Sequence, residues 1–197
     1  FLLIGDNKGG RKANYHGTTV ITQMMRDLWP GIYSKMEKDD ILKVCPVAIN
    51  DINDFKNKFE KFNQGKYKVA GFLHELILMN YGAIKLEKEF VQKAHAICQD
   101  NEVPVLVDEI QSCLWHPEMF LFKEYEVTPD FVTIGKGFPG GQYPASRIIT
   151  TPAMDNLSQF GALVTNGQEE LASLSYLITM EFVRANKEEI SKIGLYL

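Results

Sequence analysis

The chain has 197 residues, with 21 basic and 25 acidic side chains, a formal charge of -4 and a pI near 5.6. That balance argues against a general nucleic-acid surface, which is usually basic. The content is 45% hydrophobic and 23% charged, ordinary for a globular domain with one substantial core, and no apolar run is long enough to span a bilayer.

Phe1–Ile4 reads as a strand, and a glycine-rich loop runs from it to Gly10. This start is too short and lacks the basic flank of a secretory signal. Beginning in mid-strand and without methionine, the chain is expected to be an internal segment of a longer one. Residues Thr18 to Leu28 read as a helix closed by Trp29-Pro30-Gly31. Ile41 to Ile49 reads as a strand interrupted by Pro46. Asp51 to Phe62 is an amphipathic helix with Ile52, Phe55, Phe59 and Phe62 on one face. Lys68 to Leu73 is a strand that finishes at His74-Glu75, and Leu86 to Gln99 is a helix carrying Leu86, Phe90, Ala94 and Ile97 on one side. Strand 103–107 ends at Asp108. A short helix near Phe120–Tyr125 leads to strand 131–134 and then Lys136.

After Lys136 the alternation changes. Gly140-Gly141-Gln142-Tyr143-Pro144 reads as a turn and Ala145–Thr150 as a strand with no helix before it, which favours an antiparallel partner. Glu169 to Arg184 reads as a helix with Leu171, Leu174, Ile178 and Phe182 along one face, and 186–197 is weakly patterned. Alternating strands and helices predict an α/β fold with a mostly parallel sheet flanked by helices and one antiparallel strand after the lysine. The three scattered cysteines, Cys45, Cys98 and Cys113, suggest reduced thiols and a cytoplasmic setting.

Two apolar strands each end in one ionisable group, Asp108 and Lys136. Open α/β sheets bind ligands beyond the carboxyl ends of their strands. A buried lysine has a lowered pKa and a free lone pair for attack on a carbonyl, forming a Schiff base. An aspartate nearby can hold a pyridinium nitrogen protonated. The pairing points to pyridoxal phosphate. Gln111, three residues after Asp108, is placed to donate to a ring oxygen. Tyr15-His16-Gly17-Thr18-Thr19 offers an aromatic followed by a small turn, able to lay a ring on a flat cofactor or simply to anchor a loop. Glu75 ends the strand before that of Asp108 and can reach the same cleft; alone it would be a surface acid. Gly135-Lys136-Gly137-Phe138-Pro139-Gly140 matches a dinucleotide glycine pattern by accident, because a turn and a strand follow where that pattern opens a helix. Gly5–Lys12 lacks the Ser or Thr that a nucleotide phosphate loop needs after its Gly-Lys. His95 and Cys98, three apart on a helix, read as satisfied helix-surface side chains rather than metal ligands, and no metal is expected.

Together these segments resemble the class III, or ornithine/GABA-type, aminotransferases of the fold-type I pyridoxal phosphate enzymes. The resemblance rests on Tyr15-His16-Gly17-x-Thr19, on Leu106-Val107-Asp108-Glu109-Ile110-Gln111-Ser112, and on Pro129-Asp130 through Gly135-Lys136-Gly137 to Tyr143-Pro144. It implies that Lys136 carries the cofactor and shuttles the proton, that Asp108 pairs with the pyridine nitrogen and Gln111 with the phenolic oxygen, and that Tyr15, beside His16, stacks on the ring. Thr165-Asn166-Gly167 is similar to a family segment whose threonine reaches a neighbouring subunit's cofactor phosphate, which implies a homodimer with shared active sites. Glu75 falls on a family glutamate. The implied reaction moves an amino group from an amine or amino acid to a 2-oxo acid, with no nucleic-acid or membrane partner. An epimerase, mutase or lyase on the same fold, or a degenerate non-catalytic module within a larger protein, stands as the alternative.

Several segments depart from the family pattern. Glu75-Leu76-Ile77-Leu78-Met79-Asn80 keeps only the first glutamate and the isoleucine of its family counterpart. Cys113-Leu114-Trp115-His116-Pro117-Glu118 stands where the family has Gly-x-Gly-Arg-Thr-Gly, and the resemblance implies that a bulky Trp115 and His116 would reshape the substrate side. Gln168-Glu169-Glu170 replaces Gly-Asn-Pro. The family's upstream phosphate cup and C-terminal small domain are expected to lie outside residues 1–197, leaving the central part of a cofactor-binding large domain.

Overall fold

The computed structural model describes residues 1–4, 31–79, 82–158 and 169–196. The expected loop 5–10, the helix 18–28, Tyr15, His16 and Thr165 lie outside the described residues. The chain divides into two compact units, Phe1–Asp108 and Glu109–Leu197.

The first unit contains strands β1 (Leu2–Ile4), β2 (Cys45–Val47), β3 (Phe72–Glu75) and β6 (Val105–Asp108), in the order β2-β1-β3-β6 and all parallel. The expected parallel α/β pattern is therefore present. The strands are shorter than their apolar runs suggested. In β2, Pro46 sits at the centre, which an outer strand of the unit tolerates because a proline cannot donate to a ladder on both sides. A short antiparallel hairpin, β4 (Ile77–Leu78) with β5 (Ile84–Lys85), follows β3; two-residue strands leave no periodicity for a sequence to show.

Side chains alternate across a strand, so Phe72 and His74 face one side of β3 and Leu73 and Glu75 the other. The Phe72 side is covered by two helices. Helix α2 (Ile52–Phe62) begins at Asp51, whose carboxylate accepts the N–H groups of Asn53 and Asp54, and it buries Phe55 and Phe59. Helix α3 (Lys88–Asp100) buries Phe90, Val91, Ala94, His95 and Cys98. The Phe55 ring meets Phe72 edge-on at 5.0 Å and Phe90 at 6.4 Å, a preferred aromatic geometry. On the other side Leu3 and Leu73 pack with Tyr33 and Val44. Tyr33 belongs to helix α1 (Ile32–Lys38), an element the sequence reading missed, and its hydroxyl accepts the Val44 N–H at 3.1 Å.

In the second unit, strands β7 (Phe131–Ile134) and β8 (Arg147–Thr150) pair antiparallel, as expected for the strand after the lysine. A 3-10 turn at Leu121–Lys123 takes the place of the short helix. Gly140 and Gly141 have φ near 70°, the left-handed conformation of the expected turn. Helix α4 (Glu170–Ala185) is followed by helix α5 (Lys187–Tyr196), which the weak patterning did not reveal. The stripe Leu171, Leu174, Ile178 and Phe182 on α4 is exposed. The face that packs within this unit carries Ala172, Tyr176, Thr179 and Val183 instead, because Tyr176 lies against Phe138, their rings 5.2 Å apart, and Phe138 in turn stacks on Phe120.

Candidate active site and family membership

At the carboxyl ends of β3 and β6, Glu75 and Asp108 are paired across the parallel ladder, so their side chains leave the same face of the sheet. Both are buried, at 4% and 3% exposure, although an isolated Glu75 would be expected at the surface. Glu75 Oε2 accepts the Met79 N–H at 3.3 Å. Two acids are thus held at neighbouring strand ends, where α/β sheets receive ligands.

On the opposite face of β3 lies a histidine pair that the sequence reading did not anticipate. His74 Nδ1 is 3.1 Å from the Glu75 carbonyl oxygen, and His74 Nε2 is 2.9 Å from His95 Nε2. A carbonyl only accepts, so His74 carries its proton on Nδ1, and its bare Nε2 accepts from the Nε2–H of His95. Burial lowers His74 to about 4; burial and the neighbouring His74 lower His95 to about 3. Both rings are therefore neutral at physiological pH. His95 and Cys98 lie in the interior and not at the helix surface where the sequence placed them, because α3 turns both toward the sheet.

In the second unit Glu109 is the centre of the loop architecture, and it too was not singled out from the sequence. It is fully buried. Its carboxylate accepts the N–H groups of Leu121 at 2.9 Å and Phe122 at 2.8 Å, and the Ser112 hydroxyl approaches it at 3.4 Å. Its own N–H donates to the Thr133 carbonyl of β7 at 3.0 Å. Two backbone donors and a hydroxyl satisfy a buried carboxylate as an ion pair would. The available signal was an acid inside Val107-Asp108-Glu109-Ile110, where an apolar run has no solvent to offer it.

Gln111 follows on the same turn. Its Nε2 is enclosed and has no hydrogen-bond partner among the described residues. A buried amide donor left alone costs about 1–3 kcal/mol, so a polar acceptor at this place would be stabilised. Lys136 ends the segment after β7 with φ of 42°, left-handed for a residue with a side chain, and a geometry that concentrates at functional positions. The lysine side chain is exposed, so the burial expected to free its lone pair is not found. At the preceding Gly135 a Cβ would meet that of Ser146 at 3.4 Å, an ordinary van der Waals contact. Its carbonyl accepts the Phe138 N–H at 2.9 Å and lies 3.6 Å from Cys113 Sγ. Burial raises the Cys113 pKa and keeps it a neutral thiol donor.

The first unit therefore brings Glu75 and Asp108 together, and the second holds Gln111 and Lys136. The residues fit a pyridoxal group in kind: a buried carboxylate, an enclosed unpartnered amide donor and an accessible primary amine are the groups that a ring nitrogen, a ring oxygen and an aldehyde require.

Comparison with known proteins finds relatives over much of the chain. The chain is 28% identical over 167 residues to the acetylornithine aminotransferase of Clostridium acetobutylicum, covering 81% of this chain and 42% of that protein. It is 31% identical over 130 residues to the glutamate-1-semialdehyde 2,1-aminomutase of Campylobacter hominis, covering 66% of this chain and 28% of the relative. Thus it spans less than half the length of these relatives. The solved structure of the ornithine aminotransferase from Toxoplasma gondii superimposes with a TM-score of 0.72 at 22% identity, over 94% of this chain and 41% of that one, which shows a common fold. The family model for class-III aminotransferases matches residues 11–186. The chain belongs to the class III aminotransferases, a family of pyridoxal phosphate-dependent enzymes.

Proposed function

We propose that the protein is a pyridoxal phosphate-dependent aminotransferase that moves an amino group from an amine or amino acid to a 2-oxo acid. Membership of the class III family carries this reading. The chain corresponds to the central part of the cofactor-binding large domain, in keeping with the share of its relatives that it spans.

When bound, the cofactor supplies an electron sink for the substrate carbon that bears the amine. The residues of this chain do the rest. The Asp108 carboxylate would face the ring nitrogen and hold its proton. Gln111 would donate Nε2–H to the ring oxygen, which supplies the partner that this buried donor lacks. The Lys136 amine would hold the aldehyde carbon and then act as the base that takes the proton from the amine-bearing carbon. Tyr15 and His16 would lie on the ring face, Glu75 beside Asp108, and Thr165 at the cofactor phosphate of a second subunit in a homodimer. A cytoplasmic setting is supported by three free cysteines. Among the described residues no helix is long and apolar enough to cross a membrane.

The Campylobacter relative favours a second reading, an aminomutase on the same apparatus, in which the amino group is returned to a neighbouring carbon of the same molecule. One experiment addresses the site and the reaction together. Full-length protein with added cofactor should show a visible band, borohydride should fix the cofactor on Lys136, and Lys136→Ala should lose both. Amine donors should then discharge the band and a 2-oxo acid restore it. No band and no label on Lys136 would leave the degenerate, non-catalytic module as the answer. Discharge without release of a carbonyl product would favour the mutase.

A further inference from the structure

Residues 112–119 form a loop between Gln111 and the turn at Leu121 that presents an indole to solvent. Trp115 is 53% exposed, which leaves a large apolar ring in contact with water. The loop is stiff. Leu114 and Met119 both have φ of 74°, a strained conformation for side-chain-bearing residues. The Leu114 N–H donates to the Met119 carbonyl at 2.6 Å, and the Met119 N–H donates to the His116 carbonyl at 2.8 Å. His116 Nδ1 accepts the Glu118 N–H at 3.1 Å. These polar groups satisfy one another inside the loop, which leaves the indole as its large outward group.

The loop is anchored to the lysine segment. Cys113, two residues before Trp115, reaches the carbonyl of Gly135, the neighbour of Lys136, at 3.6 Å. Its far end is held by Glu109 through Leu121 and Phe122. Immediately before it stands Gln111 with its enclosed, unpartnered Nε2. Strained backbone and an exposed indole thus coincide on a loop that follows Gln111 and is bonded to the neighbour of Lys136.

We propose that Trp115 is a specificity-determining residue that packs against the substituent of the incoming amine, and that the preferred donors are primary amines with an apolar alkyl or aryl group. The proposal rests on the reading that Gln111 and Lys136 serve the cofactor. An apolar substituent removes the exposed indole from water, whereas a short or charged one does not.

The test uses the full-length protein loaded with cofactor and compares hexylamine with ethylamine in the discharge of the cofactor band. The hexylamine-to-ethylamine ratio of kcat/KM should fall at least about tenfold in Trp115→Ala, the size of effect that a few methylenes in an apolar contact produce, and Trp115→Phe should recover most of it. A binding readout accompanies the rates. In cofactor-free protein, hexylamine should perturb the part of the tryptophan fluorescence that Trp115→Phe removes, and ethylamine should not. An unchanged ratio in Trp115→Ala, or a change in oligomeric state with the ratio intact, overturns the proposal while a visible cofactor band upholds the functional reading. No band in the wild-type protein overturns both.

Discussion

The buried His74–His95 pair makes a quantitative prediction about acid stability. In the unfolded chain each ring titrates near 6.5; in the folded protein burial lowers them to about 4 and about 3. The unfolded state therefore binds more protons as the pH drops below 6.5, and the stability present above that value is lost progressively down to the folded-state values. Between pH 8 and pH 5 each histidine loses about 2 kcal/mol, so the pair loses about 4 kcal/mol, nearly independent of how far below 5 the folded values lie. With an m-value of about 2 kcal/mol per molar urea, the unfolding midpoint should fall by about 2 M over that range. Urea titrations at pH 8, 7, 6 and 5 measure this. His95→Gln keeps an N–H donor for His74 Nε2 but does not titrate, so it should remove about half of the pH dependence. A wild-type midpoint that is flat from pH 8 to 5, or a His95→Gln variant with the full drop, would refute the neutral-pair argument.

Glu109→Gln replaces one carboxylate oxygen by an N–H₂ that faces a backbone donor, and should destabilise the second unit by about 2 kcal/mol; faster hydrogen exchange at the Leu121 and Phe122 amides is the local readout. Phe55→Ala removes a fully buried ring that packs on both Phe72 and Phe90, and chemical denaturation should report a loss of about 3–5 kcal/mol. Asp51→Ala deletes the cap of α2 at a cost of about 1 kcal/mol, to be checked by denaturation and by fraying of the Asn53 and Asp54 amides. Gly140→Ala combines a φ of 69° with a Cβ 3.2 Å from Thr179 Oγ1, and a loss of about 1–3 kcal/mol is expected in the same assay.

Strands were readable where a run of apolar residues stops at a single ionisable group. That pattern located the strands that lead to Asp108 and Lys136. The antiparallel β8 was readable from the missing crossover. Helix α1 was not, since only Tyr33 of its seven residues is buried and one apolar position has no period. The face of α4 was misleading for the opposite reason: its regular apolar stripe is exposed, and the face that packs carries alanine, tyrosine, threonine and valine, with Tyr176 against Phe138. Glu109 and the histidine pair were hidden because burial of a polar group is decided by partners far along the chain. His74 and His95 stand 21 residues apart, and Glu109 meets amides 12 and 13 residues ahead.

The way Glu109 fastens both the entry and the exit of the segment that bears Trp115 has an evolutionary consequence. Cys113 N–H also returns to the Glu109 carbonyl, so one residue staples the whole base. Replacements at the tip can then change what the loop presents to solvent while Glu109 keeps its base in place.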